Sequence, residues 1–138
     1  MDIEIVWNAQ DQGFPVEPLC FFDGWNDCRR YLAAVHQGRV VGLVCYTDHR
    51  EGILVLSYLD VAQDWQAKGV ATRLAQAFLD EAKRRAVTVG VTPYSEQGTQ
   101  HLKPVLRRMA DAKRVALFED WTAGRWALQC QTEHRMAA

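Results

Sequence analysis

Apolar positions recur along this chain with two different periods, and the change from one to the other falls between Val61 and Leu74. From Ile53 to Val61, Val55, Ser57, Leu59 and Val61 share one face of an extended strand, and Leu54, Leu56, Tyr58 and Asp60 share the other. Both faces are mostly apolar, which predicts a central strand covered on both sides. Past the small-residue turn around Gly69 and Ala71, the residues Val70, Leu74, Ala77, Phe78 and Ala82 recur at helical spacing. A helix is predicted from about Gly69 to Arg85, ending in Lys83, Arg84 and Arg85, three cations suited to the negative end of its dipole.

The flanking chain sorts by the same criteria. Ile3 to Trp7 alternates apolar with polar residues and reads as a short strand at or near an edge, followed by a loop holding Gly13, Pro15 and Pro18. A short helix is predicted around Trp25 to Tyr31. Two apolar runs, Tyr31 to His36 and Val40 to Tyr46, flank Gln37-Gly38-Arg39 as a hairpin, and a charged turn leads into the central strand. Val87 to Thr92 is a further strand, so strand, helix and strand imply a parallel pair with a right-handed crossover. Pro93 to Gln100 forms a polar loop at that strand's carboxyl end. Pro104 keeps the next helix from starting before about Gln100 or His101, and Leu102, Val105, Leu106 and Met109 supply its inner face to about Ala112. Val115 to Trp121 and Arg125 to Gln131, either side of Thr122-Ala123-Gly124, are expected to form a C-terminal hairpin, with a frayed tail after Thr132.

Composition narrows the class. At 138 residues the chain suits one domain spanning 1–138, long enough to bury a proper core, with no repeat or linker. A net charge of -1 gives no reason to expect a nucleic-acid partner. No apolar run approaches the ~20 residues of a membrane span, and the start is acidic, so a cytoplasmic protein without a membrane partner is expected. Cys20, Cys28, Cys45 and Cys130 have no paired spacing and form no local zinc signature with His36, His49, His101 and His134; free thiols and no metal are expected. Charge is uneven, however. Before Arg29 the chain holds six acids (Asp2, Glu4, Asp11, Glu17, Asp23 and Asp27) and no Lys or Arg.

A strand, a glycine turn and a helix start together present free N–H groups and the positive end of a helix dipole, a candidate anion cradle. Gln66, Gly69 and Ala71 fill the three fixed positions of the pattern Q/R-x-x-G-x-G/A. Trp65 and Lys68 flank it, the strand before it ends Leu-Asp-Val, and the helix after it is amphipathic. This stretch resembles the acyl-coenzyme A binding motif of the GCN5-related N-acetyltransferases, and the order of elements matches that family across nearly the whole chain.

The resemblance implies an α/β fold with a mixed central sheet of about seven strands, splayed between its parallel central pair and flanked by helices. It implies coenzyme A or acetyl-coenzyme A as cosubstrate. Gln66, Ala67, Lys68, Gly69, Val70, Ala71, Thr72 and Arg73 would hold the pyrophosphate, with Lys68 ahead of Arg73 as the supplementary cation. The backbone of Leu59, Asp60 and Val61 on a bulged strand would hold the pantetheine arm and polarise the thioester carbonyl. The family's usual Glu base and Tyr acid do not carry over. Ile53 to Val61 holds no Glu, only Glu51 precedes it, and the Tyr position falls on Leu102. Tyr94 is the first candidate for the acid, followed by His101, with Ser95 beside them and Tyr58 or Ser57 as weaker water-ordering groups.

The expected activity is therefore acetyl transfer to a primary amine by direct attack within a ternary complex. A fold-related module that binds coenzyme A or a partner without turnover stands as the alternative. The acidic N-terminal region suggests a cationic acceptor, small molecule or peptide. The aromatic C-terminal segment, with Phe118, Trp121 and Trp126, suits a homodimer surface or the core equally.

Overall fold

In a computed structural model of the chain, residues 2–16, 19, 29–49 and 52–137 are described, the last six by their backbone alone. Six strands form one mixed sheet in sequence order: β1 (Glu4–Trp7), β2 (Arg29–His36), β3 (Arg39–His49), β4 (Ile53–Val61), β5 (Thr88–Val91) and β6 (Leu117–Phe118). The first four run antiparallel, whereas β4, β5 and β6 run parallel. Helices α1 (Val70–Arg85) and α2 (Lys103–Lys113) make the two crossovers, and α3 (Ala123–Ala137) closes the chain. Among the described residues the sheet has six strands where about seven were expected.

The alternating pattern predicted around the hairpin sorts side chains to two faces. Leu32, Ala34, Val44, Tyr46, Leu54, Leu56, Val89 and Val91 join α1 and α2 in the main core. On the other face Ala33, Val35, Leu43 and Cys45 meet the segment after β1 through Ala9, Val16 and Leu19. Ile53 and Val55 meet Trp126 of α3 there, beside Phe118 and Trp121. Helix α1 lies close on β3 because Gly42 has no side chain; a Cβ there would sit 2.7 Å from a Val70 methyl and 2.8 Å from one of Leu74. The cations closing α1 are structural in part: Arg85 makes a two-pronged ion pair with Asp48 of β3.

The C-terminal hairpin is not formed. After the two-residue β6, Thr122 accepts the Arg125 N–H on its hydroxyl and the Trp126 N–H on its carbonyl, and so starts α3. The sequence that follows is rich in Ala, Arg, Leu and Gln, good helix formers. The tail expected to fray after Thr132 continues this helix to Ala137. The short helix placed around Trp25 to Tyr31 is also corrected at its end, since Arg29 begins β2. The rest of that helix, with Cys20, Cys28, Glu17, Asp23, Asp27 and Glu51, lies outside the described residues.

Tyr46 packs edge-on against both Trp7 and Phe78, in the main core. Burial first, and the nearby Asp48 charge second, push its phenol up from the ordinary 10.0 to about 12. A folded-state value above the unfolded one means that the native state keeps this proton longer, so stability present below pH ~10 is lost as pH rises through about 12. The loss from Tyr46 should reach up to roughly 2–3 kcal/mol. Urea unfolding of wild type and Tyr46→Phe between pH 9 and 12 checks it; parallel slopes for the two chains would sink the assignment to Tyr46.

Candidate active site

A cleft opens where β4 and β5 part. Their pairing runs from Ile53↔Thr88 to Leu56↔Val91 and stops. The reason lies in β4. Against β3, Cys45 pairs with Tyr58 and Tyr46 with Leu56, so Ser57 is an extra residue, a bulge that bends the strand and reverses which face and edge its successors present. Both Leu56 and Ser57 consequently turn their carbonyls to the same side. The first accepts the Thr92 N–H at 3.1 Å, and the second accepts the Thr92 hydroxyl at 2.9 Å. Thr92 thereby staples the fork at its apex.

Beyond the staple, β4 still pairs with β3 as far as Val61↔Gly42 but has no described strand on its other side. The Val61 carbonyl accepts the Gln66 side-chain amide at 3.2 Å, so it points into the gap. Strand alternation turns the peptide groups of Leu59 to the same edge. The resulting cavity, about 670 Å³, runs between Leu56–Val61 on one wall and Val91–Ser95 on the other, with His101, Leu102 and Val105 at one end and Gln66, Ala67, Ala71 and Thr72 at the other.

The second end is a helix start. Gly69 precedes α1 with φ of 84°, a left-handed conformation, and an added Cβ there would meet nothing within 4 Å. Ala67 has a positive φ of 62° as well. The first helical backbone bond is from the Arg73 N–H to the Gly69 carbonyl, and the amides of Ala67 to Thr72 donate to no described backbone carbonyl. Unsatisfied amides at a positive helix end, over open space, fit an anionic phosphate group.

The residues of this stretch are not equivalent. Gln66, Ala67, Ala71 and Thr72 line the cavity. The Val70 side chain is buried in the core, which leaves only its amide to face a ligand. Lys68 is exposed, its ammonium 5.0 Å from the centre of the Trp65 ring. Arg73 donates to the Ile3 carbonyl at 3.2 Å, tying α1 to the start of β1.

At the other end of the cleft the three candidates for proton transfer differ sharply. Ser95 accepts the Gly98 N–H on its hydroxyl, while its carbonyl accepts the Thr99 N–H and hydroxyl. It starts the segment Gly98–Leu102, which is wound as a π-helix before α2. His101 sits on that segment, exposed, and with Gly98, Leu102 and Val105 lines the cavity. Tyr94 donates its hydroxyl proton to Glu119 at 3.0 Å. Glu119, just past β6, also forms an ion pair with Arg107 of α2 at 2.8 Å. Burial works to push the Glu119 carboxyl up, but hydrogen bonds from Arg107 and Tyr94 outweigh it and hold the group below its usual range. Burial, then the hydrogen bond to Glu119, drives the Tyr94 phenol well above its ordinary value. Giving up the Tyr94 proton would set a phenolate against an ionised carboxylate.

Glu119 escaped the reading of the sequence. It stands at the carboxyl end of a parallel strand, where ligand-contacting groups of open α/β sheets collect, but the local pattern of that strand reads as one arm of a hairpin. Glu119→Gln should bring the Tyr94 phenol down by the carboxylate's share while burial keeps it above its ordinary value. A pH titration of the Tyr94 ring signal by NMR checks this, and an unchanged midpoint would assign the whole effect to burial.

A mixed sheet forked between its parallel strands, with a helix start at the mouth of the fork, defines an α/β protein with an open cleft at the end of its central strand. A sequence model of the acetyltransferase (GNAT) family matches residues 3–102. The chain belongs to that family. Comparison with curated protein sequences gave no match. Among solved structures it is similar to a ribosomal-protein-alanine N-acetyltransferase from Brucella melitensis biovar Abortus 2308, at 16% identity and TM-score 0.58 over 88% of this chain and 96% of the other. It is also similar to an IAA acetyltransferase from Bacillus cereus, at 17% identity and TM-score 0.59 over 78% and 75% of the two chains. A GNAT family acetyltransferase from Elizabethkingia anophelis with acetyl-CoA bound matches at 16% identity and TM-score 0.58, over 74% and 72%. These likenesses establish the fold. The family match ends at Leu102, before the region where α3 replaces the expected hairpin. No helix among the described residues is long and apolar enough to cross a membrane.

Proposed function

We propose that residues 1–138 act as one acyl-coenzyme A dependent N-acyltransferase domain, moving acetyl from acetyl-coenzyme A to a primary amine by direct attack in a ternary complex. The observation that carries the reading is the continuity of the fork with the helix start: one cleft joins the open edge of β4 to Ala67, Ala71 and Thr72, whose amides donate to no described backbone carbonyl. Those amides, helped by Lys68, would hold the pyrophosphate. The peptide groups of Leu59 and Val61 would hold the pantetheine arm and offer a fixed donor to the carbonyl oxygen on which charge develops. When bound, the coenzyme supplies the activated acyl group.

For proton transfer we favour His101 over Tyr94. His101 is exposed and lines the cleft with a ring nitrogen free to face the reactants, whereas the Tyr94 proton is retained by burial and by Glu119. Tyr94 then serves as a fixed wall of the cleft, and Ser95 as the start of the segment that presents His101. Alignment of the two reactants in the cleft supplies a further part of the rate.

The test is product formation from acetyl-coenzyme A and a panel of amines, read by mass spectrometry, with His101→Ala and Tyr94→Phe alongside. His101→Ala should lower kcat by on the order of 10²-fold, and Tyr94→Phe by much less; the reverse ranking returns the role to Tyr94. The hydrogen bond that ties Tyr94 to Glu119 also motivates the second reading, a module that binds coenzyme A without turnover. Tight binding with no product from any amine would select it.

A further inference from the structure

We propose that Asp60 determines acceptor specificity: its carboxylate pairs with a positive charge that the acceptor carries in addition to the amine that reacts. This rests on the acyltransferase reading above and names the substrate class of that same cleft, an aliphatic amine with a second cationic group.

Direction comes first. Leu59 and Val61 pack into the main core beneath α1, while Tyr58 packs on the opposite face and donates its hydroxyl to the Leu19 carbonyl at 3.1 Å. Asp60 lies between Leu59 and Val61 in a strand, so its side chain projects to the Tyr58 face. The cradle belongs to α1, on the other face. A ligand anchored at the cradle and threaded through the fork would therefore emerge beside Asp60, where the second reactant has to approach.

Charge comes second. Asp60 is half-buried and lines the cavity. Among the described residues its carboxylate neither accepts a hydrogen bond nor forms an ion pair, unlike those of Asp48, Asp64, Asp80, Glu81 and Glu119, each of which is paired with a cation. Its wall of the cleft offers no counter-ion: the described lining contains no Lys or Arg, and His101 is its one basic group. A carboxylate partly withdrawn from water and left without a partner gains by taking a cation. The attacking nitrogen must shed its proton to present its lone pair, so a pairing with that nitrogen is broken before attack, whereas a second cation stays paired through the transfer. The pairing therefore selects acceptors with two amines.

The experiment compares propane-1,3-diamine with propylamine as acceptors for wild type and Asp60→Asn, with acetyl-coenzyme A affinity measured by calorimetry. Wild type should prefer the diamine. Asp60→Asn should lower kcat/KM for the diamine by roughly tenfold, chiefly through KM. Acetyl-coenzyme A affinity should hold, because the Asp60 backbone pairs with Leu43 of β3 rather than facing the gap; propylamine kinetics should change far less than those of the diamine, and Asp60→Glu should restore part of the preference. An equal loss on both amines would place Asp60 at the reacting nitrogen and overturn the proposal, as would no loss on either. Absence of acetylated product from wild type with any amine would instead bring down the acyltransferase reading itself, and this inference with it. Should Asp60→Asn fail to fold, Asp60→Ser gives the same comparison.

Discussion

Gly69→Val is expected to keep the fold and weaken coenzyme A binding by on the order of 10²-fold. Two effects act together at this one position. The residue sits at φ of 84°, where a β-branched side chain is strained, and relief of that strain would rotate the amides that follow it. The added side chain would also enter space that is open in the fold and that the proposed phosphate would occupy. Each charge-assisted hydrogen bond from an amide contributes about 1.5–3 kcal/mol, so loss of one or two accounts for the factor. Because the new Cβ meets no atom of the protein, the stability cost should stay near 1–2 kcal/mol, the strain alone. Calorimetry with coenzyme A and a thermal melt separate the two quantities. Unchanged affinity would remove the cradle from the ligand site.

The strand end, glycine turn and helix start that make up the proposed cradle were legible in the sequence because they are contiguous, within Val61 to Leu74. The hairpin of β2 and β3 was legible for the same reason. The C-terminal error has a specific cause. Trp126, Leu128 and Cys130 alternate at period two, as a strand would, while Trp126 and Cys130 also stand four apart, as on a helix. Burial of Trp126 and the 65% exposure of Leu128 decide for the helix, but that is known only once the sheet is in place. Thr122 caps α3, but beside Ala123 and Gly124 it reads equally as a turn residue. The site chemistry was harder to read for a different reason. Tyr94, Arg107 and Glu119 meet from three separate segments, so nothing in the local sequence shows that the Tyr94 hydroxyl is held by a carboxylate. The bulge at Ser57 likewise depends on register with β3, and without it the face presented by Asp60 is read wrongly: simple alternation from Ile53 groups Asp60 with Leu54 and Leu56, whereas in the fold it lies opposite to them.

Phe78→Ala should cost about 3–5 kcal/mol of folding stability, and coenzyme A should return part of it. Phe78 is wholly buried in the middle of α1. Its ring stacks on Trp7 at 6.3 Å between centroids and meets Tyr46 edge-on at 5.4 Å. It thereby fastens the helix to β1 and β3 at once. Truncation removes the transferred surface of the ring, leaves a cavity that close-packed neighbours fill only in part, and ends two aromatic contacts. The residue is not among those that line the cleft and lies about two turns from the start of α1, so the cradle amides should keep their arrangement in the folded fraction. Ligand at a hundred times its dissociation constant then adds about 2.7 kcal/mol to the native state by mass action. Urea melts of wild type, Phe78→Ala and Gly69→Val, each with and without coenzyme A at one fixed concentration, give opposite signatures. The first two chains should be stabilised by the ligand to a similar extent, and the third hardly at all. A Phe78→Ala chain that gains nothing from coenzyme A would mean that the middle of α1 sets the geometry of its first turn, so that core and cradle are a single cooperative unit.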